Sequence, residues 1–393
     1  MQEKLRVGIL GLGMAGGFMA PIVASHPRTT LTCAADLDPA LRDRFIAHTG
    51  LPAYEDAAAL FNSNNVDVVY IATPHQYHAE QTIRALQAGK HVVVEKPMAL
   101  SLQECDAMIN AASSTNRILI VGHTHGFDPA PRAIRDLVLA KRHGPLAMIN
   151  TFNFTDFIYR PRRPEELDTQ RGGGIFYNQL PHQIDIVRVA AAEPIASVRC
   201  ASGILDPARP TQGHLAAFLT FRSGASASII YSGHDRFDSD EFYGDVGEIG
   251  YPRSYAHGAT ARTSRTFAAA NTELDIRRDR YGYGSGAYTD LQPPPHLPHF
   301  GFLLASCAHA DIRQTPEGLT IYSENGVEVI PLPGNGTYAG HANVWNDCYH
   351  AVHGINPIVQ DAAFSRHTVL ITQLLLQSAS ENRELEVPVM RER

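Results

Sequence analysis

Gly11-Leu12-Gly13-Met14-Ala15-Gly16 joins an apolar run, Leu5 to Leu10, to a helix-compatible segment that reaches Ser25. Strand, glycine turn and helix together are the context of a dinucleotide fingerprint: glycines permit the tight turn and let a pyrophosphate approach backbone N–H groups at a helix N-terminus. Gly11, Gly13, Met14, Ala15 and Gly16 are therefore the expected cofactor loop. A second strand, Thr30 to Ala35, ends in Asp36, which lies 20 residues after Gly16, where a carboxylate holding the ribose hydroxyls belongs. A 2′-phosphate would meet that charge, and Leu37 and Asp38 rather than an arginine follow, so NAD is expected over NADP. The alternative is a turn glycine loop with an unrelated Asp.

The alternation continues, with Val66 to Ile71, His91 to Val94 and Ile118 to Val121 as strands. Tyr77 to Ala88 and Ser101 to Ser113 read as helices, the latter opened by a Ser101/Glu104 capping box, and Asp128-Pro129 begins another with a cap and an N1 proline. Strands alternating with helices predict an α/β chain with an N-terminal Rossmann-like, doubly wound parallel sheet, here over residues 1–125. Ligands of such sheets bind beyond the carboxyl ends of the strands. Thr73, Pro74, His75 and His78 leave one strand end and border the cofactor, with His78 expected to cap or pack rather than react. Val92-Val93-Val94 runs into Glu95-Lys96-Pro97 at another. Lys96 is the first candidate for chemistry; the competing reading is a solvated strand end.

At 393 residues the chain is long enough for two domains. Its formal charge of −7 argues against nucleic acid or an anionic membrane as partner, so an anionic substrate must meet a local basic patch. Five dispersed cysteines without a Cys-x-x-Cys pair argue against a disulfide framework or thiolate zinc site, and a reducing cytoplasm fits. No signal core precedes the first strand and no run reaches about 18 apolar residues, so an intracellular, non-membrane protein is expected. Past Gly144-Pro145 the pattern becomes one of hairpins, Leu215 to Phe221 with Ala225 to Tyr231, and Leu319 to Tyr322 with Val327 to Ile330 around Glu324-Asn325-Gly326. Residues 126–393 are predicted to be an α+β domain with a mainly antiparallel open sheet for substrate binding and oligomerisation, as a homodimer or homotetramer. Long loops are expected near 233–297, including Gly282 to Gly286, and helices at Ala342 to His353 and Ala362 to Ser380.

Three stretches carry further polar chemistry. In Gly172-Gly173-Gly174 through Asp185, Asn178, His182 and Asp185 fall at i, i+4 and i+7, which predicts one helical face pointing into a substrate pocket; a structural histidine is the alternative. Arg160, Arg162 and Arg163 concentrate guanidinium groups suited to a carboxylate-bearing substrate, against a basic surface loop or oligomer contact. His123 and His125, one residue apart after the last strand, would share a face and bind an acidic substrate or a metal; no further ligand set accompanies them, so no metal is expected.

Gly11-x-Gly13-x-x-Gly16, Glu95-Lys96-Pro97 and Gly172-Gly173-Gly174 to His182-x-x-Asp185, in this order and spacing, resemble the Gfo/Idh/MocA oxidoreductases nearly end to end. The resemblance implies an NAD(P)-dependent dehydrogenase in which Lys96 and His182 act at the substrate carbinol, with the Lys96–Pro97 bond in cis. Together with His299-Phe300-Gly301 and Asp311 to Gln314, these segments are similar to the phthalate 4,5-cis-dihydrodiol dehydrogenase branch, implying oxidation of a carboxylated cis-dihydrodiol to a catechol. A polyol, inositol or sugar dehydrogenase, and a catalytically silent NAD-binding sensor, are the alternatives. The family commonly has aspartate where Asn178 stands and glycine where Leu180 stands. A lysine working as a base near neutrality needs its pKa lowered from about 10.4, and a neighbouring aspartate would oppose that while Asn178 does not. Lys96 as general base then predicts that Asn178→Asp moves the acidic limb of the rate profile upward; an unmoved limb in a pH–rate measurement counts against it.

Overall fold

Leu5, Val7, Ile9 and Leu10 are all buried, as the residues of a central parallel strand covered on both faces must be. They belong to β1 (Leu5–Leu10), the first strand of a six-stranded parallel sheet with β2 (Thr29–Ala35), β3 (Ala53–Tyr54), β4 (Val68–Ile71), β5 (His91–Glu95) and β6 (Leu119–Gly122), in the order β3-β2-β1-β4-β5-β6. The order reverses direction at β1, the switch point at which such sheets bind ligands. The computed structural model describes residues 3–253, 256–265, 270–285, 292–334 and 338–389, which divide into two compact units.

The first unit runs to His123 and also takes in Asn271–Gln292 and His341–Val369, segments expected to belong wholly with the second domain. The reason is packing. Helix Ala339–Val352 carries Val344, Trp345 and Cys348 fully buried, with the Trp345 indole N–H on the Met19 sulfur at 3.2 Å and its ring 6.1 Å from that of Tyr70. Chain order does not record which sheet a helix covers. The Gly-, Tyr- and Arg-rich stretch near 233–297, expected as long loops, contains the helices Ala259–Ser264 and Ala270–Tyr281. Thr-Glu-Leu-Asp-Ile-Arg-Arg-Asp-Arg is polar nearly throughout, so it shows little amphipathic period. Gly286, at the end of the expected glycine loop, lies outside the described residues.

The second unit comprises 124–270, 293–340 and 370–393. Its nine-stranded sheet is formed by β7 (Leu146–Phe154), β8 (Ile195–Gly203), β9 (His214–Phe221), β10 (Ser226–Ser232), β11 (Phe302–Cys307), β12 (Ala310–Thr315), β13 (Gly318–Ser323), β14 (Gly326–Pro331) and β15 (Leu385–Glu386). The order is β14-β13-β12-β11-β7-β10-β9-β8-β15, antiparallel except for the parallel β7–β10 pair. Both expected hairpins form, β9–β10 and β13–β14. Alternation on β9 turns Leu215, Ala217, Leu219 and Phe221 into one core with Ile184, Val187 and Ala191 of helix Leu180–Ala191. Leu180, the departure from the family pattern, is a fully buried member of that core. Among the described residues no helix is long and apolar enough to cross a membrane.

Trp345 is the chain's single tryptophan, so its fluorescence reports unfolding of the first unit. Ile9→Ala, at a fully buried position of β1, is expected to lower the urea midpoint of that signal by the equivalent of about 3 kcal/mol; a shift under about 1 kcal/mol would contradict the packing described here.

Candidate active site

The glycine loop follows directly from β1. A Cβ on Gly16 would stand 1.8 Å from the Gly11 carbonyl oxygen, and Gly11 itself has φ 96°, so both positions need glycine for the helix Met14–Ser25 to start this close to the strand. A Cβ on Gly13, by contrast, would meet nothing within 4 Å. Tight glycines beneath an open one, at the N-terminus of a 12-residue helix, fit a pyrophosphate. Asp36 reinforces the loop: its carboxylate accepts from Leu12 N at 2.5 Å and from Asp38 N at 2.8 Å. Two contacts were not legible in the sequence. Tyr283 donates its N–H to the Leu12 carbonyl at 2.9 Å from more than 270 positions away, and Arg42 donates to the carbonyls of Asp36 and Leu37.

The carboxyl ends of β4 and β5 are bound together by side chains. The Tyr70 hydroxyl donates to Glu95, whose other oxygen accepts from Lys96 N at 3.2 Å. Burial, then the Glu95 charge, holds the Tyr70 phenol well above its ordinary pKa, so it stays a donor. His78 is fully buried, with Nδ1 2.9 Å from the Pro97 carbonyl and Nε2 2.9 Å from the Thr73 carbonyl. A neutral ring donates to one carbonyl and only an imidazolium to both; burial, and secondarily the Lys96 charge, lowers the ring's proton affinity. His78 thus ties the Thr73-Pro74 turn to the Lys96–Pro97 segment, whose peptide bond is cis. Thr73 also bonds Gln81, and His75 lies with its ring 5.6 Å from that of His78. Lys96 is half-buried at the end of β5.

In the second unit, the expected single face of Asn178, His182 and Asp185 is not one helix. Helix Gly174–Asn178 stops at Gln179, with φ −116° and ψ −49°, and a new helix begins at Leu180 with Pro181 in its first turn. Proline lacks the N–H that a continuing helix would use, so the i, i+4, i+7 argument fails here. The Asn178 amide donates to the Gly174 carbonyl at 2.9 Å, while Asp185 is fully buried. Gly174 has φ 73°, and a Cβ there would lie 2.1 Å from Thr211 Oγ1.

His123 and His125 do not share a strand face, because β6 ends at Gly122 and a 3-10 turn, Thr124–Phe127, follows. The unit boundary passes between them. His125 packs its ring edge-on to His182, centroids 5.1 Å apart, and Phe300 touches both rings, at 4.9 and 4.7 Å. Asp128 was expected to cap the helix Pro129–Leu139; its side chain makes no capping bond and instead meets His125 Nδ1 at 2.9 Å. Phe300 and Asp128 were missed as site residues, the first because nothing local marks it and the second because Asp-Pro reads as a cap. Among the described residues no group of three or more His, Cys, Asp or Glu is placed to hold a metal.

The three arginines are engaged within their own loop. Arg160 Nε pairs with Asp156 at 2.6 Å. Burial would raise the Asp156 carboxyl, but the Arg160 charge and hydrogen bonds from Thr260 and Arg160 outweigh it and hold it at about 2. Arg162 donates to the Phe157 carbonyl at 2.7 Å with its guanidinium 3.7 Å over the Phe157 ring, and Arg163 lies 3.4 and 3.5 Å from Glu165 and Glu166.

Comparison with known proteins agrees with this architecture. Residues 5–123 match the model described as "Oxidoreductase family, NAD-binding Rossmann fold", and residues 132–250 match the "GFO/IDH/MocA C-terminal domain". The chain belongs to the Gfo/Idh/MocA family, and it is an oxidoreductase with a nicotinamide-dinucleotide domain. It is 34% identical to the 1-carboxy-3-chloro-3,4-dihydroxycyclo hexa-1,5-diene dehydrogenase of Comamonas testosteroni, over 95% of this chain and 94% of that one. It is 30% identical to the scyllo-inositol 2-dehydrogenase (NAD(+)) of Bacillus subtilis (strain 168), over 60% of this chain and 70% of the relative. A crystal structure from Bordetella bronchiseptica RB50 superposes with a TM-score of 0.93 at 40% identity, covering 98% of this chain and 100% of that one.

The ion pair assigns Arg160 a folding role. Arg160→Ala is expected to cost about 3 kcal/mol of stability at neutral pH in urea unfolding. Because the Asp156 pKa is depressed, the pair's contribution is complete above about pH 4 and is lost as pH falls through about 2. An unchanged unfolding midpoint with a raised KM would instead make Arg160 a substrate contact.

Proposed function

We propose that this enzyme oxidises a carboxylated cis-dihydrodiol, using NAD, to the corresponding catechol. The observation that carries the reading is the likeness to the Comamonas testosteroni dehydrogenase, which spans 95% of the chain, against 60% for the inositol dehydrogenase of Bacillus subtilis. Phe300, packed against the imidazoles of both His125 and His182, supports an unsaturated ring over a hydrated polyol.

A nicotinamide dinucleotide held at Gly11, Gly13 and Gly16 would supply the acceptor for the hydride of the carbinol carbon. Lys96, positioned by Glu95 through its backbone N–H and by His78 through Pro97, takes the hydroxyl proton on Nζ. His182 holds the substrate oxygen, and His123 and His125 are further polar groups on the substrate side. Asn178, amide rather than carboxylate, adds no negative charge that would stabilise the lysine ammonium. Arg160 and Arg163 shape the loop before Gly172 in this reading, since Asp156 and Glu165 already pair with them, while Arg162 is held by the Phe157 carbonyl and ring. Aromatisation of the product makes the oxidation strongly downhill. NAD is favoured over NADP by the Asp36 carboxylate at the end of β2, which would repel a 2′-phosphate.

A screen of carboxylated dihydrodiols, inositols and sugars with NAD and with NADP, read by NADH or NADPH fluorescence, tests the reading. The expected result is kcat/KM for a carboxylated dihydrodiol with NAD roughly a hundredfold above any inositol, with Lys96→Met retaining NAD binding and losing turnover. Preference for an inositol would move the enzyme to the polyol dehydrogenases. NAD binding without turnover of any substrate would make it a sensor.

A further inference from the structure

The buried pair of Asp128 and His125 beside His182 has so far been given no part in setting a proton affinity. Asp128 is 2% exposed, and its Oδ2 meets His125 Nδ1 at 2.9 Å. A carboxylate accepts, so Nδ1 of His125 carries a proton and donates. The His125 ring stands at 76° to that of His182 with centroids 5.1 Å apart, both histidines being less than one-tenth exposed, and Phe300 excludes water along both. The carboxylate is also closely held. A Cβ on Gly340 would come within 2.2 Å of Asp128 Oδ1, so no larger residue fits there without moving it.

Burial raises the Asp128 carboxyl; the His125 charge and hydrogen bond, and more weakly His299 and Arg132, act the other way, and the Tyr243 phenol lies within its electrostatic reach. His299 is neutral: Gly301 N–H donates to its Nδ1 at 3.1 Å, so Nε2 is the nitrogen that donates to the Val246 carbonyl at 2.8 Å, and burial lowers its pKa to about 4. Tyr243 stacks on it at 4.0 Å and stays a phenol, being pushed up by burial. Asp240, 3.8 Å from His299, is matched by Arg253 at 2.8 Å, and Glu248 also faces His299. Arg132 lies over the Phe127 ring at 4.7 Å. Asp185 and Arg188 are buried on the helix that carries His182.

We infer that Asp128 and His125 are positioning residues that act through His182, a carboxylate–imidazole pair whose charge sets the proton affinity of that histidine. With His125 neutral the pair is an anion, and an anionic pair whose imidazole lies 5.1 Å from the His182 ring favours the protonated form of that ring. A proton on His125 would make the pair neutral and remove the effect. The inference rests on the proposed reaction only for placing His182 at the substrate.

The test reads His182 directly. In ring-13C-histidine-labelled protein without cofactor, with the His182 signal assigned by its absence in His182→Asn, Asp128→Asn is expected to lower the His182 titration midpoint by about half to one pH unit. A midpoint that is unmoved, or that rises, overturns the inference. If Asp128→Asn does not fold, His125→Asn keeps the carboxylate and removes only the group that can neutralise it, so the His182 midpoint is expected to hold or rise, a lowered value overturning the inference. The kcat/KM profile of any substrate found should move its acidic limb the same way in Asp128→Asn. A shifted midpoint without turnover of any substrate would leave the inference standing and remove only the proposed reaction.

Discussion

The parallel hydrogen-bond ladder of the first unit is the constraint on which its chemistry depends. Leu10 pairs with Ile71, Ile71 with Val94, and Glu95 with Gly122. Parallel strands in that register all end at one edge of the sheet, so the glycine turn, the Thr73-Pro74 turn and Glu95-Lys96-Pro97 emerge side by side although they are far apart in the chain. Side chains then secure what the ladder brings together. Tyr70 bonds Glu95 across adjacent strands, and His78 lies within hydrogen-bond distance of the Pro97 and Thr73 carbonyls. A lysine on such an edge is positioned by its neighbours rather than by its own flexible stem.

The second unit solves a different problem, that of keeping many polar groups inside. Arg160 with Asp156, Arg253 with Asp238 and Asp240, and His125 with Asp128 are each compensated at short range. Burial raises the carboxyl groups of Asp238 and Asp240 to about 6, the second also feeling Glu248, so part of this network gains protons under mildly acidic conditions. Such compensation is costly in desolvation and is retained where specific placement matters. Here it surrounds the segment from Phe157 to His182 that carries the glycine motif.

Legibility in the sequence followed the range of the forces concerned. The strands β1, β2, β4, β5 and β6 and the Ser101 capping box were readable because apolar runs and short-range caps are encoded within a few residues. The two hairpins were readable from Arg222-Ser223-Gly224 and Glu324-Asn325-Gly326 for the same reason. The break at Gln179 was misread because helical spacing was extended through Pro181, and the pairing of His123 with His125 failed because the strand ends at Gly122, before either histidine. Strands β8, β11 and β12 went unread, their pattern being clear only beside their partners.

The glycine positions, Asp36, Lys96 and the family they define follow from local order along the chain, since a turn, a helix start and a strand end are each properties of neighbouring residues. Tyr283 on the Leu12 carbonyl, Trp345 on Met19 and Phe300 against two imidazoles follow from no local rule. Each depends on which surfaces the long-range packing brings within about 4 Å. The chain therefore declared its class of chemistry by itself, while the environment that tunes each titrating group exists only after folding, because proton affinity is set by burial and by charges that are distant in sequence.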